Sequence, residues 1–227
     1  MLASCNKDDA FVPVKRAEEP ILFPIDSNHY DGMMLAIRTD KIPANTIPDT
    51  SFIDMVLAQF YNPGLVSVGN VRLNDKLLLP ISSQYISNHT ILSYELAAGT
   101  QNKWTIQGDN GIAGFTKKLN TKMPGFIHLN SVPQEIDLSQ SITLQIENVP
   151  ANSQAIVWSL IDINGNQVQK ETTGTTVTWT KEELQSLSPG LNSLLKVAAY
   201  TKEVNQIGSR KYLFLNETTD VVDISLK

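Results

Sequence analysis

The sequence predicts an all-β protein in which two tandem β-sandwich domains follow an N-terminal tether. Apolar and polar side chains alternate in several short segments, as at Ile142, Leu144 and Ile146, and this alternation is typical of half-buried strands. Turn sequences rich in Gly, Pro and Asn separate the segments at intervals of about 8 to 12 residues. No segment combines the length and the periodicity of an ordinary helix, so the sequence favours β structure throughout.

The composition indicates a globular protein and argues against several classes of function. Apolar residues make up 41% and charged residues 18% of the 227 residues, enough for two domains of about 100 residues each. The net charge is -5 and no basic cluster exceeds two adjacent residues, so we do not expect a nucleic-acid partner. No apolar run approaches the ~20 residues of a membrane span. A single cysteine excludes an internal disulfide framework and a zinc finger.

Residues 1–20 are expected to form a flexible tether that carries a lipid anchor. Their charged composition, interrupted by Pro13 and Pro20, shows no strand or helix periodicity. Leu2-Ala3-Ser4-Cys5 resembles the lipobox of bacterial lipoproteins. The resemblance implies that Cys5 receives a diacylglycerol thioether and that acyl chains on Cys5 hold the protein in a membrane. The alternative is a free cysteine in an N-terminal tail, although Cys5 is the only cysteine in the chain.

Lys7, Asp8 and Asp9 follow the candidate lipidation site closely. This run is similar to the export signal of Bacteroidota-type lipoproteins, which implies a lipid anchor in the outer membrane and a protein that faces the cell exterior. A solvated charge cluster would have the same sequence, so an anchor that faces the periplasm is the alternative. The basic and apolar segments that precede a lipobox would lie upstream of Met1, which we interpret as a misplaced start or a trimmed sequence.

Residues 21–125 are predicted to form the N-terminal β-domain. Apolar residues lie on both faces of the segment from Phe52 to Phe60, which indicates a buried strand or a short helix, and we favour the strand. Trp104 also stands on a predicted strand, where a tryptophan is more often a core residue than a ligand platform. The predicted strands lie at residues 33–37, 52–60, 66–73, 90–96, 103–107 and 114–120.

Three motifs of this half carry a resemblance to a known family. They are Val68-Gly69-Asn70-Val71-Arg72-Leu73-Asn74, Trp104-Thr105-Ile106-Gln107-Gly108 and Met123-Pro124-Gly125-Phe126. Together they resemble the N-terminal β-domain of small Bacteroidota-type outer-membrane or surface lipoproteins, whose function is mostly unassigned. The resemblance implies the architecture and the location of the protein, and it gives no catalytic residue. The Met-Pro-Gly sequence of the last motif also marks the predicted boundary between the two domains.

Residues 126–227 are predicted to form the second β-sandwich. Seven short strands are expected, with a hairpin turn at Asn164-Gly165 and one or two turns of helix after a capping box at Thr180 to Glu183. Leu187-Ser188-Pro189-Gly190 resembles the turn into strand F of immunoglobulin-like and fibronectin-type-III modules, and Trp158 resembles their strand-C tryptophan. The resemblance implies an immunoglobulin-like sandwich, here without the inter-sheet disulfide.

The sequence offers no constellation of reactive or metal-binding groups. Its histidines lie far apart and lack the spacing of metal ligands. They are His29, His89 and His128. The segment from Asp162 to Asn166 is similar to the start of a calcium-binding loop, but Gly165 does not stand at the position where that loop needs glycine, so a hairpin turn is the better interpretation. We therefore expect no catalytic residue, no metal and no cofactor.

The sequence thus predicts a lipid-anchored cell-surface protein that is not an enzyme. Its role would be non-catalytic binding or structural, in protein interaction or adhesion, with the membrane bound through Cys5 and with an unknown protein or glycan as partner. The alternative is a glycan-binding module for polysaccharide capture and uptake, in which Trp104 and Trp179 would stack on sugar rings. Exposed aromatic side chains would favour glycan binding, whereas buried tryptophans and a long unpaired strand edge would favour protein interaction.

Overall fold

The structure is a computed structural model, and it describes residues 29–40, 53–88, 90–91, 93–127, 129 and 132–227. In this part of the chain there are fifteen strands and one short helix, so the prediction of an all-β protein is confirmed. The predicted tether lies outside the described residues, and so do Cys5, Lys7, Asp8 and Asp9. His89 and His128 lie outside them as well.

The strands of the N-terminal half are short except for the first two. In chain order they are β1 (Gly32–Asp40), β2 (Ile53–Phe60), β3 (Val71–Leu73), β4 (Lys76–Leu77), β5 (Leu79–Ile81), β6 (Gln84–Ile86), β7 (Lys103–Ile106) and β8 (Phe115–Lys118). The C-terminal half ends in two much longer strands. Its elements are β9 (Glu135–Ile136), β10 (Ile142–Gln145), β11 (Ala155–Ile161), β12 (Gln167–Thr172), β13 (Thr176–Trp179), α1 (Lys181–Leu184), β14 (Gly190–Ile207) and β15 (Arg210–Leu226).

One continuous sheet crosses both halves of the chain. Its strand order is β12-β11-β14-β15-β1-β2-β6-β5, and β9 pairs with the far end of β15. The junction is a parallel pairing of β1 with β15, which places Gly32 opposite Tyr212 and Asp40 opposite Asp220. A four-stranded sheet in the order β4-β3-β7-β8 and a two-stranded sheet of β10 and β13 complete the fold.

The strands β14 and β15 form a hairpin that contributes to two hydrophobic cores. The first core contains Trp104 and Met123 from the N-terminal half together with Tyr212 and Phe214 from β15. The second core begins at Ile127 and contains the other two tryptophans. Along the N-terminal half the first core ends at Met123, and it is completed by the last strand, β15, whereas the second core begins at Ile127. Two tandem domains would each be built from one continuous segment of the chain. Here both cores use β14 and β15, whose 18 and 17 residues are long enough to reach both cores.

Side-chain hydrogen bonds attach the hairpin to the N-terminal half and to the segment that joins the halves. The Thr201 hydroxyl donates to the Lys122 carbonyl at 3.0 Å, and the Thr218 hydroxyl donates to the Gly125 carbonyl at 2.7 Å. The side-chain amide of Asn102 donates to Oδ1 of Asn216 at 2.8 Å, and both asparagines are buried. Because an unsatisfied polar group would be costly at these positions, the bonds fix how the segment lies on the hairpin.

Glu203 on β14 makes a further connection to the N-terminal half. Its carboxylate accepts hydrogen bonds from the backbone amides of Asn120 and Thr121 at 2.7 and 3.0 Å, and Lys117 lies 2.9 Å away. Burial acts to raise the pKa of Glu203, but these contacts and a bond from Asn205 outweigh it and lower the pKa to about 2. The folded protein thus stabilises the charged form of the Glu203 carboxylate.

We expect Glu203→Gln to lower the free energy of unfolding by about 2 kcal/mol at pH 7, because the amide keeps the shape but loses the charge. The pKa falls from 4.5 to about 2 on folding, so the contribution is complete above pH 4.5 and disappears as the pH falls toward 2. Urea unfolding of both proteins between pH 7 and pH 2 measures the difference. A difference that stays constant over this range would contradict the assignment.

Several local predictions are confirmed, and one strand is not. The segment after Phe52 is a strand, and Thr180 with Glu183 forms the capping box of α1. The Asp162 carboxylate accepts the backbone amides of Asn164 and Asn166 at 2.8 and 2.9 Å, as in a hairpin turn. No strand forms in the described residues of 90–96, because the amide of Tyr94 bonds to the Asp54 carboxylate instead of to a neighbouring strand.

No helix among the described residues has the length and apolar character needed to cross a membrane.

Candidate functional site

The tryptophans proposed as ligand platforms lie inside the protein. Trp104 has an exposed fraction of 0% and Trp179 of 1%, so neither ring can stack on a ligand. Trp104 belongs to the first core, whereas Trp158 and Trp179 belong to the second. The proposed stacking role of Trp104 and Trp179 is therefore wrong, and all three residues act as core side chains.

A different set of aromatic residues lies where three strands end. Tyr30 and Asp31 directly precede β1, and Tyr61 and Asn62 directly follow β2. Since β1 and β2 are antiparallel, these two dipeptides lie side by side, and the backbone amide of Tyr61 donates to the Asp31 carbonyl at 2.8 Å. The strand β15 begins beside them with Arg210. Two Tyr-Asp/Asn pairs and an arginine are thus brought together.

These strand ends enclose an open cleft of about 610 Å³, which we call the Arg210 cleft. Its volume lies within the roughly 300 to 1,000 Å³ of sites for small ligands. The lining combines aromatic, apolar and polar side chains with one fixed arginine. The lining residues are His29, Tyr30, Asp31, Tyr61, Asn62, Pro63, Gly64, Leu65 and Arg210.

Arg210 holds the walls of the cleft together. Its Nη1 donates to Oδ1 of Asp31 at 3.0 Å and to the Tyr61 carbonyl at 3.3 Å. Its Nη2 donates to Oδ1 of Asn62 at 2.9 Å and to the Gly111 carbonyl at 3.2 Å. The guanidinium therefore connects β15 to three other chain segments, and its planar fork of donors suits this role better than a lysine ammonium would.

A second layer of contacts fixes Asn62. Its Nδ2 donates to the Asn110 carbonyl at 2.8 Å, and Nδ2 of Asn110 donates to the Ser67 carbonyl at 2.8 Å. Gly111 lies against this amide at a φ of 80°, where a Cβ would approach Nδ2 of Asn62 to 2.4 Å. Only glycine fits that position, because any side chain there would collide with the Asn62 amide.

The electrostatics of the cleft are nearly balanced. The Asp31 carboxylate is compensated by Arg210 and also accepts the backbone amide of Lys211 at 2.8 Å. The Lys211 ammonium lies 5.1 Å from the centre of the Tyr30 ring, at the distance of a cation–π contact. Burial raises the pKa of Tyr61, so its phenol is neutral at pH 7 and donates to Oε1 of Gln59 at 3.0 Å. The arrangement can bind a polar, uncharged ligand.

Among the described residues, no group of three His, Cys, Asp or Glu side chains could hold a metal ion. His29, an isolated histidine in the sequence, lies in the lining of the cleft. The signal that could have indicated the site is the repeated Tyr-Asp/Asn pair at the outer ends of the first two predicted strands. Arg210 has no such local signature, because it reaches Asp31 from 179 positions away.

No protein-family model matches the chain, and a search of curated proteins finds no match.

Proposed function

We propose that the chain is a lipid-anchored cell-surface protein with a non-catalytic binding role, and that the Arg210 cleft is its binding site. The observation that carries the proposal is the network around Arg210, which joins Asp31, Asn62 and the Gly111 loop. A cleft whose walls are fixed before the ligand arrives loses little conformational entropy on binding. The hydrogen bonds among the polar groups therefore fix the shape of the cleft before a partner binds.

The proposed location rests on the N-terminal sequence. The resemblance of Leu2-Ala3-Ser4-Cys5 to a lipobox supports acylation of Cys5, and Lys7-Asp8-Asp9 supports export to the outer face of the outer membrane. A periplasm-facing anchor is the alternative. The chain that follows Cys5 enters the described fold at His29, within the lining of the cleft.

We also propose that residues 126–227 form an immunoglobulin-like sandwich whose last two strands are extended. The pairing of β12-β11-β14-β15 in one sheet and of β10 with β13 in another supports this proposal, as does the parallel pairing of β9 with β15. Trp158 on β11 packs between these layers, in the position that the resemblance assigns to the strand-C tryptophan. The N-terminal half then adds its strands to the edge formed by β15.

Two kinds of partner are supported by different observations. The buried tryptophans and the outer strand β12, which pairs with β11 alone among the described strands, support a protein partner that adds a strand. Tyr30 and Tyr61 in the Arg210 cleft support a glycan partner. Protein interaction or adhesion and glycan capture are therefore both retained as roles of a surface-anchored binding protein.

The variant Arg210→Met tests the cleft as the binding site. It removes all four hydrogen bonds of the guanidinium, and we expect ligand retention to fall at least tenfold, about 1.4 kcal/mol or more. The assay compares what the immobilised wild type and the variant retain from an envelope extract of cells that carry the gene. Lys202→Met, an exposed change on the same hairpin, is the matched control and should retain as much as the wild type. Equal retention by all three proteins would exclude the cleft.

A further inference from the structure

We propose that the Arg210 cleft binds an uncharged saccharide, with a pyranose ring against the tyrosines and its hydroxyl groups bound by Asp31 and Asn62. The inference rests on the proposed function, which makes this cleft the binding site, and it adds the chemical class of the ligand. A sugar ring presents C–H groups on its faces and hydroxyl groups around its edge. A matching site needs aromatic walls with planar polar groups beside them.

The aromatic walls are present and held in place. Tyr30 and Tyr61 are half-buried, and both pack against a hydrophobic cluster on the face of the sheet opposite the two cores. The Lys211 ammonium makes a cation–π contact with the Tyr30 ring, 5.1 Å from its centre. The hydrogen bond of Tyr61 to Gln59 fixes the second ring. Two rings that keep their positions without a ligand provide apolar surface at low entropic cost.

The polar groups beside the rings retain hydrogen-bonding capacity. Each carboxylate oxygen of Asp31 accepts one bond within the described structure and can accept a second. Nδ2 of Asn62 donates one hydrogen to the Asn110 carbonyl and has another available. Neighbouring hydroxyl groups of a sugar can donate to the carboxylate and accept from the amide at the same time. The cleft therefore offers both an acceptor and a donor for the hydroxyl groups of a sugar.

The hydrogen bonds of Arg210 leave an anionic ligand no free guanidinium donor in the cleft. Arg210 would be the natural partner of a phosphate or a carboxylate, but both of its Nη atoms are committed to the four acceptors of the walls. A phosphate would also lie beside the Asp31 carboxylate. A neutral saccharide needs no compensating charge, so it fits the existing network without breaking it.

The test is binding of the full 227-residue chain to an array of neutral and acidic glycans, followed by titration with the best neutral oligosaccharide of the array. We expect binding by the wild type and a loss of at least tenfold in Tyr30→Ala and in Asp31→Asn. Asp75→Asn is the matched control for the carboxylate, because Asp75 forms an exposed ion pair with Lys103 away from the cleft. Circular dichroism verifies that each variant is folded.

The outcomes separate this inference from the function on which it rests. Neutral-glycan binding that falls in Tyr30→Ala and Asp31→Asn but not in Asp75→Asn supports both. If no neutral glycan binds while Asp31→Asn still reduces retention of an envelope protein, the cleft is a binding site and the saccharide inference is overturned. If a glycan binds equally well to the wild type and to both cleft variants, the cleft is not its site and the inference is overturned together with the site assignment.

Discussion

Phe214→Ala should lower the free energy of unfolding by about 3 to 5 kcal/mol, the usual cost of truncating a large buried aromatic side chain. Phe214 lies on the last strand of the chain, yet its side chain is fully buried in the core of the N-terminal half. Trp158→Ala, in the other core, should have a similar cost. Both cores share the hairpin β14–β15, so each variant should shift one common unfolding transition.

Urea unfolding followed by tryptophan fluorescence and by far-ultraviolet circular dichroism measures these shifts. Val204→Ala is the matched control, because Val204 lies on the same hairpin with 41% of its surface exposed and should change stability by less than about 0.5 kcal/mol. Two separate transitions, with Phe214→Ala affecting one and Trp158→Ala the other, would contradict a fold in which both cores share the hairpin.

Cys5→Ala should abolish membrane association. Each buried methylene of an acyl chain contributes about 0.8 kcal/mol, and a doubly or triply acylated cysteine is held firmly, whereas the unmodified chain lacks this anchor. The measurement is partition into the detergent phase after expression behind a lipoprotein signal peptide. Ser4→Ala is the matched control, because it keeps a small residue before the cysteine and should partition like the wild type. Equal partition of the wild type and Cys5→Ala would refute the lipobox.

Local sequence signals predicted the elements that depend on neighbouring residues. The alternation at Ile142 and Leu144 gave β10, and the Thr180 capping box gave α1. The pairing of β1 with β15 could not be predicted in the same way, since it joins Gly32 to Tyr212 across almost the whole chain. Its register depends on tertiary packing, for which a single sequence contains no periodic signal.

The candidate site was missed for the same physical reason. Large aromatic side chains such as Trp104 and Trp179 can bind sugars when they are exposed, but burying them in a core stabilises the protein more. Tyr30 and Tyr61 become a site only when β1 and β2 pair and the hairpin brings Arg210 between their neighbours. The sequence shows which residue types are present, but only the folded structure shows that these residues lie close together.

The most direct test of a surface-anchored binding protein is the accessibility of the cleft on intact cells. Ser209→Cys places a thiol in the exposed hairpin turn next to Arg210, and acylation of Cys5 would leave it as the only free thiol of the chain. A membrane-impermeant maleimide should label this variant on intact cells as completely as in lysed cells. Labelling that appears only after the outer membrane is permeabilised would show that the cleft does not face the exterior.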